Sequence, residues 1–255
     1  PVISPPSDLV IEATGSLTFV DIGDAIAMDE SGIQLIVSNG PTLFPLGSST
    51  IIWTAIDNNG NSAFAVQQVD VVDTTPPTIS PVPDIIAEAV VPYDNIIELQ
   101  APSADDILGV DSITSNAPEF FPIGETIVAW TATDVSGNTA SVEQKITIFD
   151  TMYPVLQIPG DIVVEATSLD QNEVYLGEAT ATDNGEIASV TNNAPDVFPL
   201  GETTVTWTAL DSSNNFSSLT QLVTVIDTTA PEISSPVDMT LEATSVDANI
   251  VNLTS

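Results

Sequence analysis

This chain of 255 residues carries 36 Asp and Glu against a single basic side chain, Lys145, and has neither His nor Cys, for a formal net charge of −35. With nothing to neutralise phosphates, nucleic-acid binding is excluded and attachment to an anionic membrane surface is disfavoured. Disulfides and thiol chemistry are absent, as are the usual zinc and copper ligand sets, and no run of 18 apolar residues is present to span a bilayer as a helix. Uncompensated carboxylates attract cations; adaptation to high salt or to low pH, where carboxylates neutralise, would leave the same imbalance.

The chain repeats itself. Trp53, Trp130 and Trp207 recur every 77 residues, as do Asp73, Asp150 and Asp227, and Glu12, Glu88, Glu165 and Glu242 follow the same spacing within one residue. A fixed period of this length marks a tandem array of one folding unit. The expected division is 1–73, 74–150 and 151–227 for three complete units, with 228–255 as the first part of a fourth. Pro1 aligns with Pro77, Pro154 and Pro231 at the start of a unit, so the native N-terminus is expected upstream.

Each unit opens on a junction such as Asp73-Thr74-Thr75-Pro76-Pro77, where proline stiffens a short connector. In the third unit the β-branched run Asp161–Thr167 predicts a first strand, Val174–Thr182 a second, and Ile187–Asn192 a third. Phe198-Pro199-Leu200-Gly201 makes a turn whose Phe plugs the core, copied at Phe44 and Phe121. In Thr203–Ala209, Val205, Trp207 and Ala209 alternate with threonines, the period of a half-buried strand, which places each Trp in the core. A tight turn follows, in which Asn214 stands where the other copies have Gly60 and Gly137; Asn tolerates positive φ. Gln221–Ile226 predicts the last strand. Six or seven short strands without helices imply an all-β fold: tandem antiparallel β-sandwich domains of immunoglobulin or fibronectin-III type in a linear array.

The stretch Phe121-Pro122-Ile123-Gly124-Glu125-Thr126-Ile127-Val128-Ala129-Trp130-Thr131-Ala132-Thr133-Asp134-Val135-Ser136-Gly137-Asn138, together with the Asp-Thr-x-x-Pro junctions, resembles the hyalin repeat (HYR) family. The resemblance covers all three units and the opening of the fourth. It implies fibronectin-III-like sandwiches of extracellular matrix, adhesion and microbial surface proteins, and no catalytic activity. Ser48, where the other copies have Glu125 and Glu202, departs from the pattern.

Head-to-tail stacking of such units would gather carboxylates at each junction. The expected sets are Glu12, Asp73, Asp105, Asp106 and Asp134; then Glu88, Glu125, Asp150, Asp183 and Asp211; then Glu165, Glu202 and Asp227. Hard oxygen ligands on loops suit Ca²⁺; the alternative is that these Asp side chains cap turns and the Glu side chains are simply solvated. Asn215-Phe216-Ser217 and Asn252-Leu253-Thr254 are N-glycosylation sequons, Asn215 being the better candidate. The chain has no His for a Ser-His-Asp arrangement and no glycine-rich phosphate loop, so it is read as non-enzymatic.

The expected role is a structural repeat of a cell-surface fibre, adhesin stalk or surface-layer protein, extracellular, stiffened by Ca²⁺ at its junctions. Its partners would be neighbouring repeats, copies of itself, surface glycans or other cell-surface proteins. Absence of Cys from a module of this size points to a bacterium or archaeon. Two rivals remain open: spacer or binding modules on a secreted hydrolase, and a self-assembling filament in which another chain completes the partial fourth unit, whose Val237, Met239, Leu241, Ile250, Val251 and Leu253 would otherwise expose unpaired strands.

Overall fold

The computed structural model describes residues 1–235 and 238–251. The expectations for Val237 and Leu253, and for the sequon at Asn252, fall outside these residues. The chain divides into two compact units: Pro1–Val155 with Ala181–Ser189 and Ala209–Ser217, and Leu156–Thr180 with Val190–Thr208 and the described part of Ser218–Ser255.

Twenty strands form, and no helix occurs among the described residues. The first repeat contributes β1 (Val2–Ser4), β2 (Leu9–Glu12), β3 (Leu17–Phe19), β4 (Ile26–Met28), β5 (Ile33–Ser38), β6 (Leu43–Pro45), β7 (Gly47–Asp57) and β8 (Ser62–Val72). The second contributes β9 (Thr78–Ile79), β10 (Ile85–Glu88), β11 (Ala104–Asp105), β12 (Val110–Ser115), β13 (Gly124–Asp134) and β14 (Thr139–Phe149). The third contributes β15 (Val155–Gln157), β16 (Ile162–Glu165), β17 (Thr180–Thr182), β18 (Ile187–Asn192), β19 (Gly201–Asp211) and β20 (Phe216–Ile226).

Each repeat builds one four-stranded sheet with the same order: β2-β8-β7-β5, β10-β14-β13-β12 and β16-β20-β19-β18. Small two-stranded sheets complete each β-sandwich. The long central hairpin is antiparallel, Trp130 facing Val142 and Trp53 facing Ala65. The first strand of each four-stranded sheet instead pairs parallel to the last, Glu12 with Val72, Glu88 with Phe149 and Glu165 with Ile226. Both strands run toward the following junction, so the parallel pairing sets the first strand's terminal Glu beside the outgoing linker.

The third predicted strand coincides with β18, and Thr203–Ala209 and Gln221–Ile226 lie inside β19 and β20. Of the predicted second strand only Thr180–Thr182 forms. Ahead of it, Asn172 is buried and locks the chain into a turn: its carbonyl accepts from the Thr167 and Ser168 amides, and its amide donates to the Ser168 and Phe198 carbonyls. Asn95 does the same in the second repeat, Asn249 makes the local half of this network, and the buried Thr18 takes the place in the first.

The predicted core forms as expected around Ile51, Trp53 and Ala55 and their copies, closed by the fully buried Phe44, Phe121 and Phe198. Asn214, with φ 71°, is the one non-glycine residue at positive φ among those described, in the turn where Gly60 and Gly137 also take positive φ. An asparagine adopts this region at small cost because its side chain is short and hydrogen-bonds locally. The tail residues Met239, Leu241, Ile250 and Val251 are exposed.

Candidate metal site at the repeat junctions

The sheet ends carry the acidic residues to one place. Asp134 ends β13, Asp106 follows β11, and Asp73 follows β8; their carboxylate oxygens lie within 4.8 Å of one another. Asp211, Asp183 and Asp150 form the same constellation one period later, also within 4.8 Å. Each set thus joins a linker aspartate to two loop aspartates distant in sequence.

The two sets differ in how far the protein satisfies them. Asp134 accepts from the amides of Ser136 and Asn138 at 2.8 Å each and from the Asn138 side chain at 2.9 Å. Burial pushes the Asp134 carboxyl up, but these hydrogen bonds more than offset it and hold it below the usual aspartate range. Asp73 accepts from the Ser136 hydroxyl at 2.6 Å and the Thr75 amide at 3.3 Å. In the second set Asp211 is capped like Asp134, by Ser213 and Asn215. Asp150 is only 7% exposed, and only its Oδ1 is engaged, by the Met152 amide at 3.0 Å; Oδ2 is buried without a hydrogen-bond partner.

An isolated buried carboxylate oxygen is costly, and such atoms in native proteins normally have a partner. A carboxylate oxygen of Asp150 lies within 4.8 Å of one from Asp183 and one from Asp211. Burial, and after it the charges of Asp150 and Asp211, push the Asp183 carboxyl up. Gly185 sits directly against Asp150 Oδ2, and a Cβ there would fall on that oxygen. Asn184 adds a second orphan, its buried Oδ1, while its amide donates to the Ala89 carbonyl at 2.8 Å. Negative charge and orphan acceptors, with amide donors on only part of the carboxylate oxygens, form an environment that a hard cation satisfies.

The other predicted site residues lie elsewhere. Glu12 clamps the linker: its two oxygens accept from the amides and hydroxyls of Thr74 and Thr75 at 2.8–3.1 Å. Glu88 grips Thr151, and Glu165 grips Thr228 and Thr229, in the same way. The amide and hydroxyls of this clamp, led by the Thr74 amide, hold Glu12 below the usual glutamate range, and the Thr228 hydroxyl leads the same effect on Glu165. Glu125 pairs with Lys145 at 3.0 Å. Asp105 lies exposed in β11, Glu202 is exposed, and Asp227 accepts from the Thr229 amide; none joins a carboxylate cluster among the described residues. The Asn215 side chain donates to the Asp150 carbonyl at 3.2 Å and to Asp211 at 2.9 Å, so a glycan on that nitrogen, which leaves it one N–H, would have to displace at least one of these bonds.

Sequence reasoning passed over Asp29 and Asp57, which hold the places of Asp106 and Asp134 in the first repeat, one period earlier. The Ser31 hydroxyl and amide hold the Asp29 carboxyl below the usual aspartate range. It also passed over Ser136, Asn138 and Gly185. The period alone would have found the first pair, since every cluster member recurs on it.

Comparison with known proteins matches the HYR domain to residues 72–148 and 149–225. The chain belongs to the HYR domain family. It is 36% identical to hyalin of Strongylocentrotus purpuratus and 32% identical to hyalin of Lytechinus variegatus, each over 92% of this chain but 22% and 48% of those proteins. This HYR chain therefore spans about a fifth to a half of these relatives' length. It is 30% identical, over 68% of its length and 5% of the relative's, to the rat sushi, von Willebrand factor type A, EGF and pentraxin domain-containing protein 1. Among solved structures, Drosophila N-cadherin EC1-4 aligns with 87% of this chain and 73% of its own at 16% identity, with a TM-score of 0.34. These relatives are animal proteins, so the bacterial or archaeal origin expected from the absence of Cys is not supported.

Proposed function

We propose that this chain is a non-enzymatic stretch of an extracellular adhesion-type protein, built of HYR domains divided at 73, 150 and 227, and that Ca²⁺ held by the junction aspartates fixes each linker to the loops beside it. The buried, unpartnered Oδ2 of Asp150 among Asp183 and Asp211 carries the reading. An ion there neutralises three carboxylates, satisfies the orphan oxygen and bridges three segments of the chain, at Asp150, Asp183 and Asp211. The set Asp73, Asp106 and Asp134 is the weaker site, because Ser136 already satisfies Asp73. Ca²⁺ fits better than Mg²⁺, since loop carboxylates of unequal burial suit a flexible shell of six to eight oxygens better than a strict octahedron. The hyalin relatives support the extracellular role, and absence of His and Cys from the chain supports the non-enzymatic one.

Thermal melts in Ca²⁺ and in chelator test the ion. For a site of the affinity usual in extracellular modules, saturating Ca²⁺ stabilises by about 2–3 kcal/mol, a shift of several degrees. Asp150→Asn removes most of that shift while leaving the melt in chelator unchanged or higher. Identical curves with and without Ca²⁺, and no bound metal by elemental analysis, would overturn the assignment.

A further inference from the structure

The outward face of the first repeat's four-stranded sheet differs from its copies. Leu35 and Val37 on β5, Ile52 and Ile56 on β7, and Phe64 and Val66 on β8 point to the same side; register sets Ile52 opposite Val66, Leu35 opposite Ile56, and Thr54 between Val37 and Phe64. Phe64 is 65% and Val66 59% exposed, and Leu35, Val37 and Ile52 are exposed by nearly half. One period on, Phe64 is replaced by Ser141 and then Ser218, and Val66 by Glu143 and then Thr220. Leu35 and Val37 likewise give way to Ser112 and Thr114, then to Ser189 and Thr191. In the later copies the face is laced by hydroxyl pairs, Thr131 with Ser141 and Thr208 with Ser218, each at 3.1 Å. A fold that tolerates serine and threonine at these positions does not need leucine, valine and phenylalanine there for its own stability. Contiguous exposed apolar surface of this kind marks an interaction site.

We propose that this face is a self-association surface, packing against the same face of a second copy of the chain. No charged side chain lies on it between Leu35 and Gln68; its border carries Asp70, hydrogen-bonded by Ser48, and Asp8, which accepts from the Gln68 amide. Nothing on it therefore selects a partner by charge. One such face offers on the order of 400 Å² of apolar surface. Only a partner face equally apolar and equally flat, with its own polar border, brings the buried total to the roughly 1,000 Å² that a specific interface needs. The same face of a second copy meets that condition: two sheets of identical twist stack in near alignment, about 10 Å apart. A two-fold axis makes the patch its own complement.

Sedimentation equilibrium of the 255-residue chain, from about 1 to about 200 µM, tests this. The chelator stays present throughout, so that the outcome is independent of the ion proposal. A monomer–dimer equilibrium is expected. It should tighten as salt rises from about 0.05 to about 0.5 M, because salt screens repulsion between two acidic chains while the apolar contact remains. Phe64→Ser and Val66→Glu should each weaken it at least about tenfold, the loss of about 1.4 kcal/mol or more. Those residues occupy the same positions in repeats that fold alike, and Ile52→Thr, after Thr206, is a third variant of the same kind. A chain that stays monomeric at every concentration overturns the proposal; a dimer that these substitutions leave unchanged overturns it by placing the contact elsewhere.

Discussion

Each repeat's tryptophan ends on a glutamine. The Trp53, Trp130 and Trp207 indole nitrogens donate to Gln67, Gln144 and Gln221 at 3.0 Å, and those glutamines, essentially fully buried, donate onward to backbone carbonyls. The Gln144 amide reaches the Pro83 carbonyl at 2.8 Å, so one side chain joins the central hairpin to the segment entering β10. Gln144→Leu keeps most of the volume and strands both partners; the cost should be about 2–4 kcal/mol by urea denaturation. The pair was half legible. Alternation placed the tryptophans in the core, but a glutamine 14 residues on reads as solvent-facing until the hairpin register sets Gln144 opposite Val128, on the buried face and diagonal to the ring of Trp130. Asp183 makes the opposite argument about charge. Its pKa is raised by burial and by its like-charged neighbours, so the folded protein holds that proton more tightly than the unfolded chain. The stabilisation this gives is complete below the ordinary aspartate range and lost as pH rises through the raised value. Asp183→Asn should therefore melt higher than the parent at pH 7 in chelator, and should lose the Ca²⁺ shift.

At the scale of the strand, the parallel pairing of β2 with β8 does what neither strand does alone. It sets Glu12 opposite Val72, and so within reach of the first two linker residues. Four donors from Thr74 and Thr75 then close on one carboxylate. Glu12→Ala should leave the fold intact but release those two amides, seen as faster hydrogen exchange at Thr74 and Thr75 alone. Because Glu12 titrates below its usual range, the clamp's contribution is present above the ordinary glutamate pKa and is lost as pH falls through the lowered one. Measured against the intrinsic rate at each pH, protection of these amides should fall on acidification in the parent and not in Glu12→Ala. The sequence showed a recurring glutamate and recurring threonines, but their meeting depends on a pairing between chain segments some sixty residues apart. That is why Glu12, Glu88 and Glu165 read as ion ligands rather than as linker clamps. The linker aspartates Asp73 and Asp150 were legible because the turn chemistry and the period both point to the strand ends.

For the molecule as a whole, 36 carboxyl groups with one lysine make self-repulsion a standing cost of the folded state. Any salt relieves it, so stabilisation by Ca²⁺ alone would not separate a bound ion from a screened charge. The two have different concentration dependence. Screening follows ionic strength and continues to grow across the range where the Debye length shrinks from about 30 to about 3 Å. A site saturates. In melts at fixed ionic strength, with NaCl exchanged for CaCl₂, a chain that is only screened would show no response. The proposed site predicts a step there, completed at millimolar Ca²⁺, and a separate titration with NaCl alone should give the general rise. Asp150→Asn should delete the step and keep the rise, because it removes one charge from a large excess but an irreplaceable oxygen from one site. A step that survives Asp150→Asn and Asp73→Asn alike would locate calcium among the surface carboxylates instead. A rise with NaCl and no step would leave the buried Asp150 oxygen to be satisfied by a proton on Asp183, and the stability of the chain would then climb toward acid pH rather than with calcium.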